Sequence, residues 1–191
     1  LRHLVVYGNG DRSALSGHLD YEELLAAEQP GYQWPEIDEH AAAAMCYTSG
    51  TTGMPKGVVY SHRSTFLHTL GVCSGEALGL SQYDRVLPVV PMFHGNAWGI
   101  PYAAWLVGAD LLLPNRFAQA APLAAFIAAE RATLAAAVPT LWYDVLGLDP
   151  ESIDLSSLRT IMAGGAAVPR SLIEALDSGA DPGQERSARS R

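Results

Sequence analysis

Short apolar runs that stop at glycine, proline or serine alternate along this chain with longer stretches of mixed apolar and polar character. The short runs at residues 3–7, 42–47, 85–90, 109–113, 134–138 and 159–162 predict strands of roughly four to seven residues. The stretches between them predict helices at 21–28, 63–78, 95–105, 122–131, 140–146 and 169–176. Pro122 and Pro169 fall in first-turn positions, where a missing N–H costs nothing. Residues 29–39, with Pro30, Gly31 and Pro35, read as a loop. Strand and helix alternating in this way predicts an α/β fold, a mostly parallel sheet with flanking helices.

The last residues break the pattern. From Asp177 onward the chain has no apolar side chain larger than alanine, so it has nothing to bury. This divides the sequence into a domain at 1–177 and a tail at 178–191 that is either disordered or read out of frame. The 191 residues, 49% apolar and 17% charged, suit one globular domain or part of one. Acidic residues outnumber basic ones 20 to 12, a net charge of −8, which argues against a nucleic-acid partner because phosphate contacts need a basic face. The longest apolar reach, 97–113, is interrupted by Pro101 and Asp110, so no transmembrane segment is expected. Cys46 and Cys73 have no metal-ligand spacing and read as buried free thiols. With no signal peptide at the first residues, a cytoplasmic location is the expectation.

One segment carries candidate chemistry. Thr48-Ser49-Gly50-Thr51-Thr52-Gly53-Met54-Pro55-Lys56-Gly57 combines hydroxyls, glycines and a single lysine between an apolar run and Val58-Val59-Tyr60. Glycines let backbone N–H groups approach a polyphosphate, hydroxyls add hydrogen bonds, and a lysine supplies compact positive charge. The spacing is not that of a Walker A loop, since Pro55 stands immediately before Lys56. His62, at the start of the next helix, reads as a structural hydrogen-bonder.

The string YTSGTTGMPKGVVYSHR resembles the signature of the adenylate-forming (AMP-binding) superfamily. The resemblance implies that Thr48, Ser49, Gly50, Thr51, Thr52, Gly53 and Lys56 hold the β- and γ-phosphates of ATP. Thr48 would also help hold Mg²⁺, and Thr48 and Lys56 would be the catalytic residues.

Two further segments fit. Residues 89–99 follow a buried strand with a polar and aromatic turn, where open α/β sheets place ligands. His94 and Trp98 lie four apart, so at a helical start they would share a face. The stretch 87–114 resembles the fatty acyl-CoA synthetases. By that resemblance Trp98 gates the acyl tunnel, Gly95 and Trp98 lie near the nucleotide, and His94 borders the carboxylate being activated. Residues 162–169 resemble the GGxxxP turn on the adenine and ribose side of ATP, which places Gly165, Ala166 and Ala167 against the nucleotide. The carboxylates Glu22, Glu23, Asp84 and Asp144 form no acid/base pair and read as solvated or capping residues.

The implied reaction is AMP-forming acyl-CoA ligation, with a small carboxylic acid such as a fatty acid, ATP and coenzyme A as reactants and Mg²⁺ as cofactor. The resemblance spans roughly residues 1–176, an internal piece of a longer pattern. Absent are a later Tyr-Gly-x-Thr-Glu segment, a Thr-Gly-Asp segment and a mobile C-terminal domain with its own lysine. Losing several such groups together implies that the isolated chain does not turn over. A non-catalytic nucleotide-binding remnant and an amino-acid-activating adenylation module are the alternatives.

Overall fold

The computed structural model describes residues 2–48 and 53–179. Ser49, Gly50, Thr51 and Thr52 of the predicted phosphate loop, and 180–191 of the predicted tail, lie outside the described residues.

The chain packs as two compact units, one up to Ile37 and one from Asp38 onward. The boundary falls inside the predicted loop at 29–39, which carries no helix or strand. In the first unit, β1 (Val5–Val6) pairs in parallel with β2 (Leu19–Asp20), and Asp20 caps α1 (Tyr21–Ala27) by accepting from the N–H groups of Glu22 and Glu23. Glu22 and Glu23 then sit at the positive end of the helix, as solvated first-turn acids.

The second unit is built on four parallel strands, β5 (Arg85–Pro88), β6 (Asp110–Leu111), β7 (Leu134–Ala137) and β8 (Thr160–Ala163), in the order β6-β5-β7-β8. The strand period of two sends alternate residues to opposite faces. On one face Val86, Leu134 and Ala136 pack with Ile100, Ala103 and Ala104 of α4 (Ile100–Val107). On the other, Leu87, Ala135 and Ala137 pack with α5 (Ala120–Glu130), α6 (Pro139–Leu146) and α7 (Arg170–Gly179), through Leu123, Ile127, Trp142, Val145 and Leu172. Both faces are covered, which is why β5 and β7 read in sequence as unbroken apolar runs. The alanines of β7 let the helix layers approach closely.

β6 lies on one side of β5 and β7 on the other, so the chain reverses its winding direction at β5. The loops after β5 and β7 therefore part to opposite faces at the carboxyl ends of the strands, the place where open α/β sheets bind ligands.

The amino ends of the strands are fastened by Asp84, which is only 5% exposed. Its Oδ1 accepts from Arg159 Nε at 2.8 Å and Thr133 Oγ1 at 2.8 Å, and its Oδ2 accepts from the Ser81 N–H at 2.8 Å and the Ser81 hydroxyl at 3.1 Å. These contacts tie together the residues leading into β5, β7 and β8. Burial pushes the carboxyl upward, but the hydrogen bonds from Arg159, Thr133 and Ser81 outweigh it and hold the pKa at about 2, below the ordinary 3.8. Asp84 is thus a buried anchor, not the solvated or capping residue its sequence context suggested.

An antiparallel hairpin accompanies this parallel sheet. β3 (Ala42–Thr48) pairs with β4 (Lys56–Ser61), with Cys46 opposite Val58 and Thr48 opposite Lys56. Strand β4 is absent from the sequence expectation, which ran the phosphate-binding segment up to Gly57. Ser61 then caps α2 (His62–Cys73), accepting from the Ser64 N–H, and this helix packs on α4. α2 stops at Cys73, short of the expected 78, because Ser74 turns extended. Cys46 is buried, Cys73 is partly so, and both are free thiols.

The expected continuous helix at 95–105 does not form. Gly95, Asn96, Ala97, Trp98 and Gly99 all have positive φ, at 56°, 50°, 51°, 56° and 73°, so α3 (Gly95–Trp98) is a single left-handed turn. Right-handed winding begins only at Ile100, with Pro101 in the first turn of α4. The physical signal was local: Pro101 inside a helix starting at Gly95 would lose a hydrogen bond and clash with the preceding turn.

Candidate active site

Three segments distant in sequence meet near the carboxyl ends of β5, β7 and β8. The first is the hairpin. Thr48 closes β3 and Lys56 opens β4, and both side chains are exposed at the end of the ladder. Gly53 is exposed with φ 83°, a conformation that favours glycine. Gly57 faces Met45 across the hairpin so closely that a Cβ there would stand 2.9 Å from the Met45 sulfur.

The second segment is the left-handed turn after β5. The N–H groups of Val89 and Val90 both donate to Ala136 O, which carries the end of β5 along β7 before the chain turns outward at Pro91. His94 is extended (φ −117°, ψ 109°) and exposed, and it stands just before the turn. The right-handed helix that would have put His94 and Trp98 on one face is absent. Ala97 is fully buried, whereas Trp98 is half-buried.

The third segment follows β8. Gly164 donates its N–H to Ala137 O at 3.4 Å, and Gly165 has φ 84°. The Trp98 indole lies directly over this turn: a Cβ on Gly164 would come within 3.1 Å of Trp98 Cη2, and one on Gly165 within 3.9 Å of Cζ2. Two glycines in succession are needed here, one for clearance under the indole and one for its backbone angle. Ala166 and Ala167 are exposed beyond them.

The hairpin and the left-handed turn are joined by a side-chain hydrogen bond, Cys46 Sγ donating to Asn96 Oδ1 at 3.1 Å. On the far side of the turn, His68 of α2 packs on Gly99 so tightly that a Cβ would stand 2.6 Å from His68 Nδ1. Sequence assigned none of Cys46, Asn96, His68 and Gly164 a role in the site, although Cys46 was read as a buried free thiol and Gly164 falls in the predicted 162–169 turn. The doubled glycine at 164–165 was the only local signal among them.

Of the predicted site residues, Gly95, Trp98 and Gly165 come together directly, with Ala166 and Ala167 on the same turn. Thr48, Gly53 and Lys56 lie on the hairpin, tied to this group through Cys46. His62 opens α2 with its N–H donating to Ala41 O, and its side chain lines a groove of about 460 Å³ with Thr65, Phe66, Thr69, Tyr102 and Trp105. Among the described residues no group of three or more His, Cys, Asp or Glu side chains is placed to hold a metal ion. None of the described helices is long and apolar enough to cross a membrane.

Residues 6–181 match the AMP-binding enzyme family. The chain belongs to that family. Among curated relatives of this AMP-binding chain, the medium-chain-fatty-acid–CoA ligase of Ectopseudomonas oleovorans is 45% identical over 172 residues, covering 89% of the chain and 32% of the relative. The long-chain-fatty-acid–CoA ligase of Thermus thermophilus is 47% identical over 174 residues, covering 91% and 31%. Among solved structures, an anthranilate CoA ligase in complex with anthranoyl-AMP superimposes with a TM-score of 0.83 at 28% identity, covering 94% of the chain and 35% of that protein. The chain spans about a third of the length of the curated relatives it matches.

Proposed function

We propose that this chain carries the ATP-phosphate and adenine-side elements of an AMP-forming acyl-CoA ligase acting on a fatty acid. The convergence of the hairpin, the Trp98 turn and the Gly164-Gly165 turn at one switch point carries the reading. In the proposed reaction a carboxylate oxygen attacks the α-phosphorus of ATP, the bond to the bridging α–β oxygen breaks, and pyrophosphate leaves an acyl-adenylate. The thiolate sulfur of coenzyme A then attacks the acyl carbon, and AMP departs with the oxygen that linked it.

Both halves manage negative charge, so positioning and charge compensation are what the protein must supply. Lys56, with Ser49, Gly50, Thr51, Thr52 and Gly53 on the connection between the hairpin strands, offsets and orients the β- and γ-phosphates. Gly165, Ala166 and Ala167 present an open backbone to the adenine and ribose, next to Gly95 and Trp98. His94 borders the carboxylate, with Trp98 at the mouth of the acyl channel. A magnesium ion supplies charge neutralisation at the phosphates when bound. The donor set favours an ion that arrives with the nucleotide, because Thr48 offers a single hydroxyl and Mg²⁺ ordinarily keeps phosphate and water ligands. The cytoplasm, with its ATP and coenzyme A, is the proposed location.

The reaction test is a graft. Residues 6–179 replace the matching segment of the Thermus thermophilus ligase, and pyrophosphate release from Mg·ATP is followed with a panel of fatty and amino acids. The proposal expects release that depends on fatty acid. A folded chimera that releases pyrophosphate only with amino acids, or with no carboxylic acid, overturns it. Because the chain spans only a third of its relatives, the ungrafted chain is expected to bind Mg·ATP without releasing pyrophosphate.

A further inference from the structure

We infer that the Cys46–Asn96 hydrogen bond is a positioning contact that sets the Trp98 turn in register with the hairpin bearing Thr48 and Lys56. The inference rests on the nucleotide-site reading above and adds two residues to it.

The left-handed turn needs holding. Left-handed backbone costs an L-residue roughly 1–2 kcal/mol, and three successive non-glycine residues, Asn96, Ala97 and Trp98, adopt it here. Of the three, only asparagine visits that region readily. Among the described residues its side-chain oxygen accepts no hydrogen bond within the turn; it reaches the hairpin and accepts from Cys46 Sγ at 3.1 Å.

Cys46 is the one described residue of β3 that is buried, at 4% exposure, between Met45 and Tyr47, which are 56% and 64% exposed. On its own face of the strand burial is deepest at Cys46, with Ala44 partly buried and Thr48 exposed. Strand alternation puts Thr48 on the same face as Cys46. The height of Cys46 against Asn96 consequently fixes Thr48 relative to the turn. At the other end of the same turn, Trp98 rests on Gly164. One thiol thus links the phosphate side of the site to the indole and, through it, to the adenine-side glycines. A single thiol–amide bond is weak, so its loss should loosen this register without unfolding the chain.

The test uses the chain labelled with ¹⁵N-tryptophan, the Trp98 indole signal being assigned by its loss in Trp98→Phe. Cys46→Ala and Asn96→Gly, the latter chosen because glycine tolerates the left-handed backbone, should each move that signal. Each should also raise the dissociation constant for Mg·ATP about two- to threefold, the low end for loss of one neutral hydrogen bond. Cys46→Ser, which keeps a donor, should restore both readouts to near the wild type. The double variant should be no worse than either single one. An unmoved Trp98 signal in both single variants, a serine variant that behaves like alanine, or additive effects in the double variant would overturn the inference. A wild-type chain that does not bind Mg·ATP would overturn the nucleotide-site reading instead, and the Trp98 signal would still decide the positioning role.

Discussion

Replacing Asp84 with asparagine removes a charge from the point where β5, β7 and β8 begin, while keeping the side chain's size. Asparagine offers one acceptor where the carboxylate offered two, and its amide would confront either the Ser81 N–H or the donors on Arg159 and Thr133. The wild-type carboxyl titrates at about 2 instead of 3.8, which corresponds to about 2 kcal/mol of native-state preference for the charged form. The side-chain exposure of Arg159, 42% against 6% for the Asp84 side chain, keeps the value at the lower end for a buried pair. With the unpaired donors added, Asp84→Asn should destabilise the chain by about 2–4 kcal/mol at pH 7, a midpoint loss on the order of 5–12 °C. The sign of the pH dependence follows from a depressed pKa. The stabilisation is complete above the unfolded value near 3.8 and is lost as pH falls toward 2. Urea unfolding of both proteins across pH 7 to 2.5 should therefore show a gap that is constant down to about pH 4 and then closes. A gap that persists undiminished at pH 2.5, or no gap at pH 7, would refute this account of the anchor.

Other substitutions probe the site's geometry. Gly99→Ala places a Cβ 2.6 Å from His68 Nδ1 at φ 73°, and should cost about 2–3 kcal/mol in urea unfolding. An alanine variant of wild-type stability would contradict the packing described. Gly164→Ala, with its Cβ 3.1 Å from Trp98 Cη2, should displace the indole and shift the Trp98 signal more than it shifts stability. Lys56→Ala should weaken Mg·ATP binding about tenfold in calorimetry while leaving AMP affinity within about twofold, because AMP lacks the β- and γ-phosphates. Equal losses for both nucleotides would remove Lys56 from the phosphate role.

The α/β architecture was legible because strands buried on both faces leave continuous apolar runs, as in Val86-Leu87 and Leu134-Ala135-Ala136-Ala137. Strand β4 was not, since its residues from Lys56 to Val59 stay exposed and show no alternation. The left-handed turn was partly legible: Gly95, Gly99 and Pro101 all oppose a continuous right-handed helix. The Asp84 anchor and the Cys46–Asn96 contact were not legible, because their partners lie far along the chain and local pattern carries no trace of such pairings. Arg159 is 75 positions from Asp84, and Asn96 is 50 from Cys46. The motif residues could be named as candidates from sequence; what fixes them relative to one another could not.

The central claim is that three separate motifs form one nucleotide site. Titration of Mg·ATP into the ¹⁵N-labelled chain tests it most directly, through the amides of Gly53 and Gly57, the Trp98 indole and the amides of Gly164 and Gly165. The account predicts that all three sets of signals move together along one saturable curve with a single dissociation constant. Shifts confined to one motif, or curves that saturate at different concentrations, would contradict it.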